Sequence, residues 1–337
     1  MKILQISYCD SGSEAAANAL CLHRAFRQIG IGSMLLTAVK HTREAGVELL
    51  PGKWGRFWHK LRGRSLETRL SGLPEIVKMY QADAVLLHDI SGGVASPEEL
   101  PALPGKIFWN LRSPEQIPDE NDPLFQQKID LWSKRPIPLI VPSADMAEKA
   151  AGSPVFCEMK QTCIPPGVDL SVFHPGNRET ARRELGIRPG TFAVWSNPAG
   201  NPDIFPVISD LKKKFADKIQ FIHTVPRNDR DMVRLCRACD LLLDGTSNLP
   251  LPGHILRAEA CGLPVAAFES AGITEAVSDN WSGRLVPPGD RDAMSAAVEE
   301  IMENASFYRD GACEYAATMF ADLSVARKYC DFIFPQK

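Results

Sequence analysis

The strongest constraint on this chain is an alternation that runs almost from end to end. Short β-rich runs are followed by longer stretches whose apolar residues recur at helical spacing, the pattern of a doubly wound parallel sheet. The first strand is expected over residues 2–7. A polar turn, Cys9-Asp10-Ser11-Gly12-Ser13, then leads into a helix from about Glu14 to Ile29, with Ala15, Ala19, Leu22 and Phe26 on one face. Gly30 and Gly32 end that helix, and residues 33–37 read as the second strand. Further strands are expected at 84–87, 107–111 and 139–141.

The same order then starts again. Thr162-Cys163-Ile164-Pro165-Pro166-Gly167 is a Pro/Gly hinge suited to a domain boundary. Beyond it Asn177 caps a short helix containing residues 181–185, and strands are expected at 192–195, 219–223, 241–243 and 265–268. A parallel order built twice predicts an α/β chain of two Rossmann-like domains facing each other across a cleft. Their expected bounds are 1–163 for the N-terminal domain and 164–310 for the C-terminal one. Residues 311–337 are expected to form helices that pack back on the N-terminal domain. A length of 337 residues with 45% hydrophobic content suffices for two cores.

Composition removes several function classes. A net charge of −3 gives no global attraction to nucleic acid or membrane, so no nucleic-acid partner is expected. Lys2 is followed by too short an apolar run for a signal peptide, and no apolar run approaches the roughly 20 residues that span a bilayer. A cytoplasmic location is the expectation. The nine cysteines are scattered. Cys236 and Cys239 form a C-x-x-C, but no second pair has zinc-ribbon spacing. Cys157 and Cys163, the nearest candidates, sit in apolar, strand-like surroundings, so buried free thiols are expected.

Ligands of open α/β sheets bind beyond the carboxyl ends of the strands, where loops meet helix N-termini. Three turns fit. In the first, Gly12 would let backbone approach a ligand and Ser13 would cap the helix; an ordinary βα turn fits the same residues. The second is Leu249-Pro250-Leu251-Pro252-Gly253-His254-Ile255-Leu256. Its Pro252 and Gly253 open a helix ending at Gly262, and the first-turn amides near Gly253, His254, Ile255 and Leu256 would suit a diphosphate. Arg257, one turn on, would add positive charge. The third is Glu269-Ser270-Ala271-Gly272-Ile273-Thr274-Glu275, with Glu275 in a first helical turn, where a carboxylate is also favoured structurally.

Several segments in this order resemble the family-4 glycosyltransferases of the GT-B fold, over nearly the whole chain. Ile164-Pro165-Pro166-Gly167-Val168-Asp169, Phe173-His174-Pro175 and Ala181-Arg182-Arg183-Glu184-Leu185-Gly186 look like the family's interdomain signature. Glu259-Ala260-Cys261-Gly262-Leu263-Pro264-Val265-Ala266, Gly272-Ile273-Thr274-Glu275 and Gly283-Arg284-Leu285-Val286-Pro287-Pro288-Gly289-Asp290 look like its donor site. Leu87-His88-Asp89-Ile90-Ser91-Gly92-Gly93 resembles a segment of polysaccharide-building members. The resemblance implies a retaining hexosyltransferase that moves a sugar from a nucleotide-diphosphate donor to a glycan or lipid-linked acceptor, with neither metal nor cofactor. Gly253 to Leu256 and Gly272 to Glu275 would bind the donor. Gly12, Ser13 and His88 would line the cleft from the N-terminal domain.

The chain also departs from the family's pattern. Leu249 and Arg257 occupy the places of its paired glutamates. Ser196-Asn197-Pro198-Ala199-Gly200-Asn201 lacks the Arg and Lys that neutralise the diphosphate, and Arg112 replaces a histidine. Arg112 and Arg257 are therefore the candidate catalytic cations, since leaving-group charge needs preorganised donors. The alternative is a catalytically inactive binding or scaffold protein of the same fold.

One further segment attracts attention. From Lys53 to Arg69 the chain mixes cations with Trp54, Phe57, Trp58 and Leu61, which share one face of a helix. Such a face suits an anionic membrane surface and would make the protein peripheral to it. A helix packed on its own domain accounts for the same pattern.

Overall fold

The computed structural model describes residues 1–50, 72–88, 90, 94–197, 199, 201–247 and 249–335. The segment from Lys53 to Arg69 lies outside the described residues, and so do Asp89, Ser91, Gly92 and Gly93. The chain divides into two compact units, Met1–Gly167 joined by Asp322–Lys337, and Val168–Ala321.

In the first unit the elements run β1 (Lys2–Cys9), α1 (Glu14–Gln28), β2 (Gly32–Val39), β3 (Val47–Leu49), α2 (Leu73–Tyr80), β4 (Ala84–Leu87), α3 (Glu99–Ala102), β5 (Lys106–Asn110), α4 (Phe125–Trp132), β6 (Leu139–Val141), α5 (Ala144–Ala151) and β7 (Gln161–Cys163). The strands form one seven-stranded parallel sheet in the order β3-β2-β1-β4-β5-β6-β7. Parallel sheets are covered on both faces, and β1 shows why its sequence complies. Leu4 and Ile6 enter the core around Trp109 and Trp132, while Ile3 on the opposite face meets Leu22 and Phe26 of α1. Ser13 starts α1 by accepting a hydrogen bond from the Ala16 amide at 3.1 Å. The strand β1 outruns its expected end because Cys9 still pairs with Val39.

The second unit continues with α6 (Arg178–Glu184), β8 (Phe192–Asn197), α7 (Ile204–Phe215), β9 (Ile219–Ile222), α8 (Asp229–Ala238), β10 (Leu241–Asp244), α9 (Gly253–Ala260), β11 (Val265–Phe268), α10 (Ile273–Ala276), β12 (Gly283–Val286), α11 (Arg291–Glu303) and α12 (Ala305–Met319). Its five parallel strands are ordered β12-β11-β10-β8-β9. Asn177 caps α6 by accepting from the Thr180 amide at 2.9 Å. Buried Asp240 fastens α6 to the sheet: it accepts from the Ala193 amide at 2.9 Å and from Arg182 Nη1 at 3.0 Å, and it also pairs with Arg178.

The last helix, α13 (Asp322–Ile333), belongs to the first unit. Its Val325, Ala326, Tyr329 and Ile333 fill the core beside Phe26 and Phe108. The expected return at residue 311 comes later, at Asp322, for a packing reason. Ala316 and Phe320 belong to the core of the second unit, and Gly311 lies so close to the Trp281 carbonyl that a Cβ would not fit. The boundary likewise falls after Gly167 rather than at 163, because Val168 N donates to Phe320 O at 2.7 Å inside the second unit. Cys236 and Cys239 are buried as expected for packing thiols. Cys157 and Cys163 are exposed, since one lies in a turn and the other ends an edge strand.

Candidate functional sites in the two units

Each sheet has a point where successive connections leave in opposite directions, and the crevice beyond it is where such sheets bind ligands. In the second unit it lies between β8 and β10, and in the first between β1 and β4.

At the β8/β10 point Asn197 and Asp244 end their strands directly opposite one another. The Asp244 carboxylate is fully buried. It accepts from Asn197 Nδ2 at 2.6 Å and from Thr246 Oγ1 at 3.1 Å. His254, in the first turn of α9, sets Nε2 at 3.1 and 3.2 Å from the two carboxylate oxygens. Among the described residues no Lys or Arg comes within 4.0 Å of Asp244, so His254 is its basic partner. A nitrogen facing two carboxylate oxygens carries the proton, which leaves Nδ1 as the outward atom of the ring. The ring stands edge-on to Trp195 with centroids 6.4 Å apart, which fixes its orientation.

The four first-turn amides expected to serve a diphosphate reduce to two. Ile255 N and Leu256 N turn back on Pro252 O at 3.1 and 3.5 Å, whereas Gly253 N and His254 N have no acceptor among the described residues. The side chains of Ile255, Leu256 and Ile273 are packed in the core, so these residues face a ligand only through their main chain. The other glycine turn sits against this one. Gly272 has φ +79°, and a Cβ there would strike the Leu249 and Pro250 carbonyl oxygens. Thr274 is exposed, and Tyr315 Oη holds the Glu275 carbonyl at 3.0 Å. Arg257 lies one turn beyond His254 with its guanidinium 5.8 Å from the Phe173 ring centroid. Leu249 is exposed. Glu259 is buried and accepts from Ser282 Oγ at 2.5 Å; burial outweighs that bond and pushes its carboxyl well above the usual carboxylate range.

The β1/β4 point of the first unit is polar inside. In register, Ser7, His88 and Asn110 form one row across β1, β4 and β5, on the face covered by α1 and α13. His88 is fully buried. Its Nδ1 accepts from Asn110 Nδ2 at 2.9 Å, and its Nε2 donates to Gln5 Oε1 at 2.7 Å. The reverse Gln5 amide would turn Nε2 toward the ring and require acceptors at both ring nitrogens, while Asn110 Oδ1 is already taken by the Tyr329 hydroxyl at 2.9 Å. Burial, assisted by the nearby Arg112 charge, lowers the His88 pKa to about 3. His88 is thus a buried, neutral link between neighbouring strands.

Gly12 has φ +89°, with open space where a Cβ would stand. Asp10 is buried too; burial raises its pKa, but the Thr42 hydroxyl at 2.6 Å and the His41 and Thr42 amides at 2.7 and 2.9 Å win and hold it down. Arg112 lies two residues beyond Asn110. Gln116 Oε1 accepts its backbone amide at 2.6 Å, and its guanidinium hydrogen-bonds Tyr329. Sequence reasoning missed Asp244, Thr246, Gln5, Asn18 and Tyr329. A carboxylate closing the apolar run Leu241-Leu242-Leu243-Asp244 was the readable signal; Tyr329 is brought in only by tertiary folding.

Parts of this chain are similar to known proteins. Residues 199–304 match the family described as Glycosyl transferases group 1. D-inositol 3-phosphate glycosyltransferase of Mycobacterium marinum is 30% identical over 190 residues, 46% of this chain and 41% of the relative. The enzyme of that name from Mycobacteroides abscessus is 26% identical over 240 residues, 59% and 54% of the two chains. The chain thus spans about two fifths to half the length of these curated relatives. Among solved structures, Anabaena HepE in complex with UDP and glucose superposes with a TM-score of 0.69 at 15% identity, covering 100% of both chains. A glycosyltransferase from Rickettsia africae superposes with a TM-score of 0.71 at 14% identity, covering 100% of this chain and 99% of the other. The fold is that of the GT-B glycosyltransferases.

Proposed function

We propose, with the group 1 likeness of the second unit and the GT-B fold as premise, that this protein is a retaining hexosyltransferase. It would transfer a sugar from a nucleotide-diphosphate donor to a glycan or lipid-linked acceptor. The observation that carries the reading is the His254–Asp244 pair at the β8/β10 switch point, beside two amides without an acceptor among the described residues. Gly253 N and His254 N would receive the donor diphosphate, with the partial positive charge of the helix N-terminus behind them, and His254 Nδ1 would join them as a donor in the imidazolium form of the ring. Buried Asp244 orients the imidazole by fixing which nitrogen points outward. This supplies donors where the family's Arg and Lys are absent. Gly272 to Glu275 would contact the donor sugar or ribose. UDP and glucose are what HepE holds in its solved complex, which supports trying uridine donors first. In the first unit Arg112 would serve the acceptor; Arg257 would add charge on the donor side. Association with an anionic membrane surface through the segment from Lys53 to Arg69 fits a lipid-linked acceptor.

The test is calorimetric titration of the full chain with UDP, GDP and ADP. Micromolar binding of one nucleotide is expected, weakened at least tenfold in His254→Ala. Absence of binding to any of the three by folded protein would overturn the reading. Leu249 and Arg257, in place of paired glutamates, favour a second reading as a non-catalytic binding protein. Sugar transfer or donor hydrolysis by the purified chain would exclude it.

A further inference from the structure

The switch point of the second unit sets a buried carboxylate behind a ring that can change its charge. Asp244, fully buried at the end of β10, has Asn197 Nδ2 at 2.6 Å, Thr246 Oγ1 at 3.1 Å and His254 Nε2 at 3.1 Å. The amide and the hydroxyl are neutral donors, and an enclosed carboxylate is costly to leave without a cation. His254 is the basic group that meets it, and Asp244 is the one carboxylate within 4.0 Å of the ring among the described residues. The His254 side chain is 22% exposed, so solvent and a ligand reach the ring although they do not reach Asp244.

The surrounding elements add few charges. Glu269 and Glu275 flank the Gly272 turn, and Asp203, which precedes α7, pairs with Arg291 at 2.7 Å. Arg257 stands one turn further along α9 with its guanidinium against the Phe173 ring. Asn197 ends β8 opposite Asp244, and its turn, Ser196-Asn197-Pro198-Ala199-Gly200-Asn201, contains no Lys or Arg. With a neutral ring, the His254–Asp244 pair carries one negative charge; with an imidazolium it carries none. A neutral ring that spends its proton on Asp244 would also turn the lone pair of Nδ1 toward the oxygens of a diphosphate at Gly253 N and His254 N. A proton at Nδ1 converts that repulsion into a charge-assisted hydrogen bond.

We infer that donor binding is coupled to proton uptake: His254 takes a proton from solvent at Nδ1 as the nucleotide diphosphate arrives and gives it back when the nucleotide leaves. The inference rests on the proposed function for the identity of the ligand and adds how the site acquires its charge. The ring keeps its first proton on Nε2, toward Asp244. The second, on Nδ1, bonds a phosphate oxygen, and the imidazolium is held between two anions, each of which favours the charged form. Histidine suits the task because its ordinary titration falls in the physiological range. A fixed lysine or arginine would hold the nucleotide at every pH, whereas this pair grips it only with a proton in place.

Calorimetric titration of the full chain with UDP-glucose, GDP-glucose and ADP-glucose tests it, from about pH 5.5 to about pH 8.5, across the range in which histidine titrates. Buffers of different ionisation heat count the protons exchanged. Sugar nucleotides serve because both their phosphates are esterified twice, whereas a terminal phosphate takes up its own proton near about pH 6. The parent is expected to take up close to about one proton at the alkaline end, where affinity falls by up to about tenfold per pH unit. His254→Gln keeps a donor for Asp244 but cannot charge. It is expected to bind as weakly as the parent does at the alkaline end, at every pH and without proton uptake. Asp244→Asn keeps an acceptor for Nε2 but not the anion, and is expected to shift the uptake to lower pH. Glu269, Glu275, Asp203 and Arg257 are the same in all three proteins, so their contributions cancel in the comparison. Binding by the parent without proton uptake, or equal uptake in His254→Gln, would overturn the inference and leave the proposed function standing. Binding of none of the three at any pH would overturn both.

Discussion

Acidification should open the first unit through one residue, His88. Its imidazole is enclosed, donates to Gln5 and accepts from Asn110, and the folded pKa is about 3 against 6.5 for an unhindered histidine. Between those values the unfolded chain binds a proton that the folded chain refuses. Stability therefore rises with pH across this window and falls as pH drops below about 6.5. With those two pKa values the linkage relation gives a loss of about 2 kcal/mol between pH 7 and pH 5. The assay is hydrogen exchange of the His88 and Leu111 amides, which bond Ile6 O at 2.9 Å and Ile140 O at 2.8 Å and so report on this unit's opening. Other groups titrate in the same range, so the comparison that matters is with His88→Gln, which keeps an acceptor and a donor but cannot take up the proton. The parent should lose about 2 kcal/mol more than the variant over those two pH units. Parallel losses in both proteins would refute the reasoning, and so would a His88 ring titrating near pH 6 by NMR.

Two further substitutions test the second unit. Asp240→Ala strips the buried partner from Arg178, Arg182 and the Ala193 amide, and should cost about 3–5 kcal/mol by urea denaturation, as removal of one member of a buried ion pair does; a cost under about 1 kcal/mol would show that the pairs are solvated. Gly272→Ala puts a Cβ against the Leu249 and Pro250 carbonyls at a positive φ, and should cost about 1–3 kcal/mol and weaken nucleotide binding together with stability. Unchanged affinity in the destabilised variant would separate that turn from the ligand.

Much of this was legible because it is local. Strands 84–87, 139–141 and 265–268 fall where the apolar runs place them, and Ser13 and Asn177 cap the helices they precede. The edge strands β3 and β7 escaped notice because three residues carry no readable periodicity. The return at Asp322 was mislocated because Ala312, Ala316 and Phe320 look the same in sequence whichever core they enter. His254 was picked for its amide, yet its imidazole matters as well. Its anchor, Asp244, sits ten residues earlier and meets it only because β10 ends and α9 begins at the same edge. Arg112 was singled out as a substituted position, whereas the enclosure of its Nη1 depends on helices at opposite ends of the chain.

The placement of α13 also orders events on the ribosome. Residues 168–321 close on themselves: Val168 N meets Phe320 O, and a Cβ on Gly167 would lie 2.9 Å from Asp322 Cα, so the segment starts and stops at one spot. It can reach its final form as soon as it is made. The first unit, begun earlier, must wait with the face formed by Ile3, Phe26 and Phe108 uncovered until Tyr329 and Ile333 have been synthesised. Chaperone dependence of a nascent chain stalled before residue 322, and its relief when the last helix emerges, is the signature such an order of assembly would leave.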